Sequence, residues 1–184
     1  RVLTITLGTG VGVGITIDGK PATPDASTHL AGHIKVRQGT EEPCLDKYEC
    51  YCEIKGCLES TCSGTALERM AKDLYGDAVD NKILFDKAEE GDETAIELIK
   101  KYLDYLLIGL NQYVYVFAPD LFVLGGGVSG RLDAWLEYIG EGLKAAVHSK
   151  YSPVVSIAEL KEEGGVIGAA CLFADSYYEN EETE

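Results

Sequence analysis

The sequence predicts an α/β fold, on three observations. The first twenty residues alternate β-branched and small residues around a glycine-rich turn, the pattern of a hairpin. From about Leu58 the apolar period lengthens from two to between three and four, the pattern of amphipathic helices. Beyond residue 119, short apolar runs alternate with helical ones, which builds a sheet covered by helices. The chain has 184 residues, enough for one substantial domain, and no Pro/Gly linker divides it.

The elements follow in order. "RVLTITLGTGVGVGITIDGK" reads as strand, glycine turn, strand and a second turn at Asp18-Gly19. "HIKV", residues 33–36, reads as a third strand, and residues 21–30 and 37–56 as loops rich in Pro, Thr, Asp and Gly. "SGTALERMAKDLYG" has a Ser/Thr start, good helix formers and a Gly stop. "DNKILFDKAEEGD" and "ETAIELIKKYLDYLLIGLNQYVYVFA" continue as helices. In the second, Ile96, Ile99, Leu103, Leu106, Leu107 and Leu110 recur at three to four residues. "PDLFVLGGG" reads as a short buried strand ending in glycines, with a helix after them. "DAWLEYIGEGLKAAVHSK" is a helix, "PVVSIAEL" a strand and "VIGAACLFADSYYE" a last helix.

Charge and composition narrow the function. The net charge is −15, which repels phosphate backbones and argues against direct nucleic-acid binding by this domain. Residues 178–184, ending "ENEETE", read as a solvated, disordered acidic tail. No apolar run approaches the ~20 residues of a membrane span, so no membrane partner is expected. Three of the six cysteines, Cys50, Cys52 and Cys57, fall within eight positions, and this density reads as metal binding rather than a disulfide framework. Cytoplasm is the expected compartment. The first residue is Arg1 and the only methionine is Met70, so the sequence reads as a piece of a longer polypeptide.

Four motifs carry chemistry. In "LGTGVGVGI", residues 7–15, glycines permit a tight turn whose backbone N–H groups can cradle phosphate, with the Thr9 hydroxyl beside them. A strand rather than a helix follows, so this is not a dinucleotide fingerprint. In "LFVLGGGVSG", residues 121–130, an apolar strand runs into Gly125, Gly126 and Gly127, the place where α/β proteins receive nucleotides. The thiol cluster supplies three soft ligands; His33, after Gly32 and before an expected strand, is the best fourth for a tetrahedral zinc site, with Cys44 a competitor on spacing alone. His29 and His148 stand alone and read as ordinary residues at this level. Glu59, just after Cys57, reads either as helix-dipole compensation or as a carboxylate held beside the metal loop.

Taken together, "LGTGVGVGI", "AGHIKV", "CYCEIKGCLESTCSG", "VLGGGVS" and "GVIGAACL" resemble the ROK family (repressor, open reading frame, kinase). The likeness covers essentially the whole chain. It implies an actin-like, ribonuclease-H-like ATPase fold with a zinc-binding loop, residues 1–184 forming the carboxy-terminal domain. It further implies that His33, Cys50, Cys52 and Cys57 hold a structural zinc, that Glu59 and His33 face a sugar, and that Gly8, Thr9 and Gly10 meet ATP phosphates. Gly125, Gly126 and Gly127 would lie near the adenosine. The implied parent phosphorylates a hexose or N-acetylhexosamine with ATP and Mg²⁺; the alternative is the effector domain of a sugar-responsive repressor. A homodimer is expected. In the kinases the general base is an Asp upstream of the first strand seen here, so this chain alone is expected to be inactive.

The sequence also departs from the family. Leu30 stands where members carry Glu, three positions before the metal histidine, with His29 beside it to contribute through a one-residue shift. Glu53 and Val13 stand where Gly is usual. The stretch from His33 to Cys50 is longer than usual and includes Cys44.

Overall fold

The structure is a computed structural model that describes residues 1–22, 30–38, 42–151, 153–160 and 163–171. His29 and the acidic tail, both singled out in the sequence, lie outside the described residues. The sheet grows from strand β1, Val2–Leu7, whose Leu3, Ile5 and Leu7 are fully buried while Thr4 and Thr6 face the other side. β2, Val11–Ile17, folds back antiparallel with Leu7 opposite Val11. At Asp18 and Gly19, φ values of 52° and 80° make the tight hairpin turn. The turn leads into β3, Lys20–Pro21, at the sheet edge, where a proline costs no ladder bond.

β3 fills the place expected for "HIKV". Ala31–His33 form a 3-10 turn, with Gly32 pressed against the Val11 backbone where no Cβ fits. Beyond it only Lys35 pairs, in a single antiparallel bridge with Cys57. The expected loop after it contains a short helix α1, Pro43–Asp46, with Pro in its first turn.

Helices α2, Leu58–Cys62, and α3, Gly64–Tyr75, are separated by extended Ser63, whose hydroxyl caps α3 by accepting from the Ala66 N–H at 3.1 Å. After α4, Asn81–Glu89, comes α5, Glu93–Phe117. Asp92 caps α5 by accepting from the N–H groups of Thr94 and Ala95. Its apolar stripe, Ile99, Leu103, Leu106 and Leu110 with Tyr102 and Tyr113, packs under the Leu3–Ile5–Leu7 face. Ile96 is only half-buried.

The chain then returns through β4, Leu121–Gly125, parallel to β1, and α6, Leu136–Ala146, to β5, Val154–Ile157, parallel to β4. The sheet order is β3-β2-β1-β4-β5. Two 3-10 turns, Ser129–Arg131 and Asp133–Trp135, intervene where the sequence reading placed a helix directly after the glycines. The last described helix is α7, Gly164–Cys171. No described helix is long and apolar enough to cross a membrane.

Candidate functional site

The topology sets both glycine loops side by side. β1 and β4 are parallel neighbours, so Gly8–Gly10 and Gly125–Gly127 leave the sheet at the same end, the carboxyl end where open α/β sheets bind ligands. The junction is tight. The Val128 N–H donates to the Leu7 carbonyl at 3.1 Å, and a Cβ on Gly126 would lie 2.6 Å from that oxygen. Gly126 also has a φ of 87°, so only glycine fits there without strain. Beside the loop opens a cleft of about 740 Å³, in which Thr4, Thr6 and Val123 on the free face of the sheet meet Gly126, Gly127 and Leu160. The first glycine turn is fastened from below by α3: the Gly64 N–H donates to the Gly8 carbonyl at 2.6 Å, and the Thr65 hydroxyl to the Thr9 carbonyl at 3.0 Å.

The thiol cluster assembles at the opposite margin of that turn. Cys57 is fixed as the N-cap of α2, its sulfur accepting from the Ser60 N–H at 3.3 Å. Cys50 and Cys52 belong to one turn, closed by the Glu53 N–H donating to the Cys50 carbonyl at 2.8 Å. His33 arrives from the 3-10 turn, and its Nδ1 lies 3.6 Å from Cys50 Sγ and 3.8 Å from Cys57 Sγ. The ligand atoms of His33, Cys50, Cys52 and Cys57 all fall within 4.8 Å of one another. Zn–S bonds of about 2.3 Å and a Zn–N bond of about 2.0 Å at tetrahedral angles require S···N separations of about 3.5 Å and S···S of about 3.8 Å, so the four groups fit such an ion. Burial pushes the Cys50 thiol up to about 12, with further upward contributions from its neighbours Cys52, Cys57 and Glu59. A cation bound among them would hold these thiols as thiolates. Cys44, the competing ligand, lies elsewhere, in an apolar cluster with Leu45, Ala66 and Met70.

Glu59 links the two halves of the site. Its Oε2 accepts from the Val11 N–H at 3.1 Å, and Oε1 accepts from the protonated Cys50 thiol at 3.4 Å. A Cβ on Gly10 would sit 2.5 Å from Oε2, so the absent side chain there makes room for the carboxylate. A metal-bound Cys50 thiolate has no proton to give, which leaves Oε1 able to accept from a hydroxyl ligand. Leu30 opens the 3-10 turn and is 55% exposed. No sequence pattern points to the Val11 N–H or to the α3 amino terminus as partners in this site. Tyr51 is recognisable in the sequence only as the aromatic residue between two candidate ligand cysteines; its hydroxyl lies 2.5 Å from His33 Nε2.

Comparison with known proteins places these features in a wider set. The model of the ROK family matches residues 1–176. An N-acetyl-D-glucosamine kinase from Pasteurella multocida is 30% identical over 183 residues, an alignment covering 94% of this chain and 58% of that protein. The solved ROK hexokinase from Thermus thermophilus superposes with a TM-score of 0.80 at 30% identity, covering 97% of this chain and 58% of its own. A ROK family glucokinase from Streptomyces griseus, in complex with glucose and AMPPNP, superposes with a TM-score of 0.77 at 29% identity, covering 93% of this chain and 59% of its own. The chain thus spans under two thirds of the length of the proteins it matches.

Proposed function

From the premise that this chain belongs to the ROK family, we propose that it is the carboxy-terminal, sugar- and zinc-binding domain of a sugar kinase. The parent transfers the γ-phosphoryl group of ATP, with Mg²⁺, to a hydroxyl of a hexose or N-acetylhexosamine. The observation that carries this reading is the placement of Glu59 between the glycine turn and the cysteine loop, bonded to the Val11 N–H on one oxygen. A carboxylate so held accepts from a sugar hydroxyl, while its neighbour, the Gly8–Gly10 turn, receives phosphate.

In this reading Gly8, Thr9 and Gly10 line the phosphate end and Gly125, Gly126 and Gly127 the adenosine end of one nucleotide, a reading supported by the parallel pairing of β1 and β4, which brings both turns to one end of the sheet. His33, Cys50, Cys52 and Cys57 hold zinc, whose contribution is to fix the loop that carries Glu59 and His33. Kinases are preferred to sugar-responsive repressors because the named relatives near 30% identity are kinases.

The test uses the complete polypeptide with ATP, Mg²⁺ and a panel of glucose, N-acetylglucosamine, N-acetylgalactosamine and N-acetylmannosamine. Phosphorylation of at least one sugar is expected, and Glu59→Gln should lower kcat/KM by roughly 10- to 100-fold, the loss of one charge-assisted hydrogen bond of about 1.5–3 kcal/mol. Elemental analysis should return about one zinc per chain. A Glu59→Gln enzyme with unchanged kcat/KM would remove Glu59 from the sugar site, and metal-free protein purified without chelator would reject the zinc.

A further inference from the structure

Tyr51 meets the ring nitrogen of His33 that faces away from the cysteine cluster. The two ring nitrogens are not equivalent: Nδ1 faces the Cys50 and Cys57 sulfurs at 3.6 and 3.8 Å, and Nε2 lies 2.5 Å from the Tyr51 hydroxyl. The rings meet edge to face, with centroids 4.7 Å apart and planes at 80°. This is an odd posture for a surface aromatic, since Tyr51 is 72% exposed and gains little from burial there. Its backbone is anchored on both sides, by Cys50 and Cys52, within the turn closed by the Glu53 N–H. The turn thus presents the Tyr51 side chain on the side of the His33 imidazole.

An imidazole that gives its Nδ1 lone pair to a metal must carry its proton on Nε2. That N–H then needs an acceptor, and the partner that supplies one fixes the tautomer, orients the ring and raises the basicity of the ligating nitrogen. We propose that Tyr51 is the positioning residue of the metal centre: its hydroxyl oxygen accepts from His33 Nε2–H and holds Nδ1 toward the ion. The inference rests on the metal site put forward under the proposed function, and it adds a consequence for that site. Nε2 has one proton, so a sugar hydroxyl that takes it must first displace Tyr51.

The test compares the chain with its Tyr51→Phe variant, which keeps the ring and its edge-to-face contact and removes only the oxygen. Zinc affinity is read by competition with a chromophoric chelator, and the His33 tautomer and Nε2–H by ¹H–¹⁵N NMR of the zinc-loaded protein. The variant is expected to bind zinc about tenfold more weakly, with faster exchange of the Nε2 proton and an unfolding midpoint unchanged in the metal-free state. Equal affinity, within twofold, and an unchanged Nε2–H signal would overturn the role of Tyr51 while leaving the zinc site standing. Native protein that takes up no zinc would overturn both, so the two failures are distinguishable.

Discussion

Glu53 has a φ of 60°, in the left-handed region that L-residues other than Asn and Asp rarely enter. It follows the last residue of the Cys50–Cys52 turn, at the position where the resemblance calls for glycine, and its side chain is exposed. The cost of about 1–2 kcal/mol for a β-carbon in this conformation is offset in part by the greater unfolded-state entropy of glycine, about 0.5–1 kcal/mol. Glu53→Gly should therefore stabilise the protein by about 1 kcal/mol, read as a higher urea midpoint with the m-value unchanged. A lower midpoint would mean that the Glu53 side chain makes a contact worth more than the strain. Gly56, three residues on, shows the opposite case: its φ of 76° is matched by glycine, and a Cβ there would collide with the Arg37 carbonyl.

At the scale of elements, the insertion between His33 and Cys50 is more than a loop. α1 docks on the core through buried charge: the Arg37 guanidinium lies 2.7 Å from Asp46 Oδ1, its Nε–H donates to the Thr61 hydroxyl at 3.1 Å, and Arg37 is only 6% exposed. Glu42, equally buried, accepts from the Tyr105 hydroxyl at 2.9 Å and pairs with Lys101 at 2.5 Å. Removing one partner of such a pair leaves an uncompensated buried charge. Asp46→Ala should cost about 3 kcal/mol of stability by chemical denaturation; a loss below about 1 kcal/mol would place Arg37 in water instead. None of this was legible in the sequence. Residues 37–56 have loop composition, and the bonds that order them reach to Thr61, Lys101 and Tyr105, beyond the reach of local pattern. The same blindness put "HIKV" in the sheet, because β-branched residues look like a strand whether or not an edge is free to pair with them. By contrast the β1–β2 hairpin, the stripe of α5 and the glycines after β4 declared themselves, since period and turn chemistry are local. Three candidate metal ligands are visible as a crowd of thiols. His33 is legible as the fourth through the resemblance, while spacing alone leaves Cys44 in competition; burial of Cys44 against Met70 and Leu45 sets it apart.

For the molecule as a whole, the question is how far the fold depends on the proposed metal. The main core is one continuous cluster from β1, β4, α2, α3, α5 and α6, and it includes Val36 and Leu58 from the ends of the metal loop. Between those ends, Tyr51, Glu53, Ile54 and Lys55 are exposed and add nothing to that core. The loop is instead stitched to it by the Lys35–Cys57 bridge and by the Leu58 N–H donating to the Ile34 carbonyl at 2.8 Å. The sheet and helices thus have their own source of stability, unlike a zinc finger, whose fold is the metal site. Removing the proposed zinc should lower stability only by mass action, about 4 kcal/mol when free zinc stands at about a thousand times its Kd. For a domain of this size that corresponds to a fall in melting temperature of roughly 10 °C. Chelation followed by thermal unfolding should show this fall with one cooperative transition and an unchanged far-ultraviolet circular dichroism spectrum at 25 °C. Loss of the helical signal on chelation would mean that the ion holds the core together, and that Val36 and Leu58 are buried because the metal loop pulls them in.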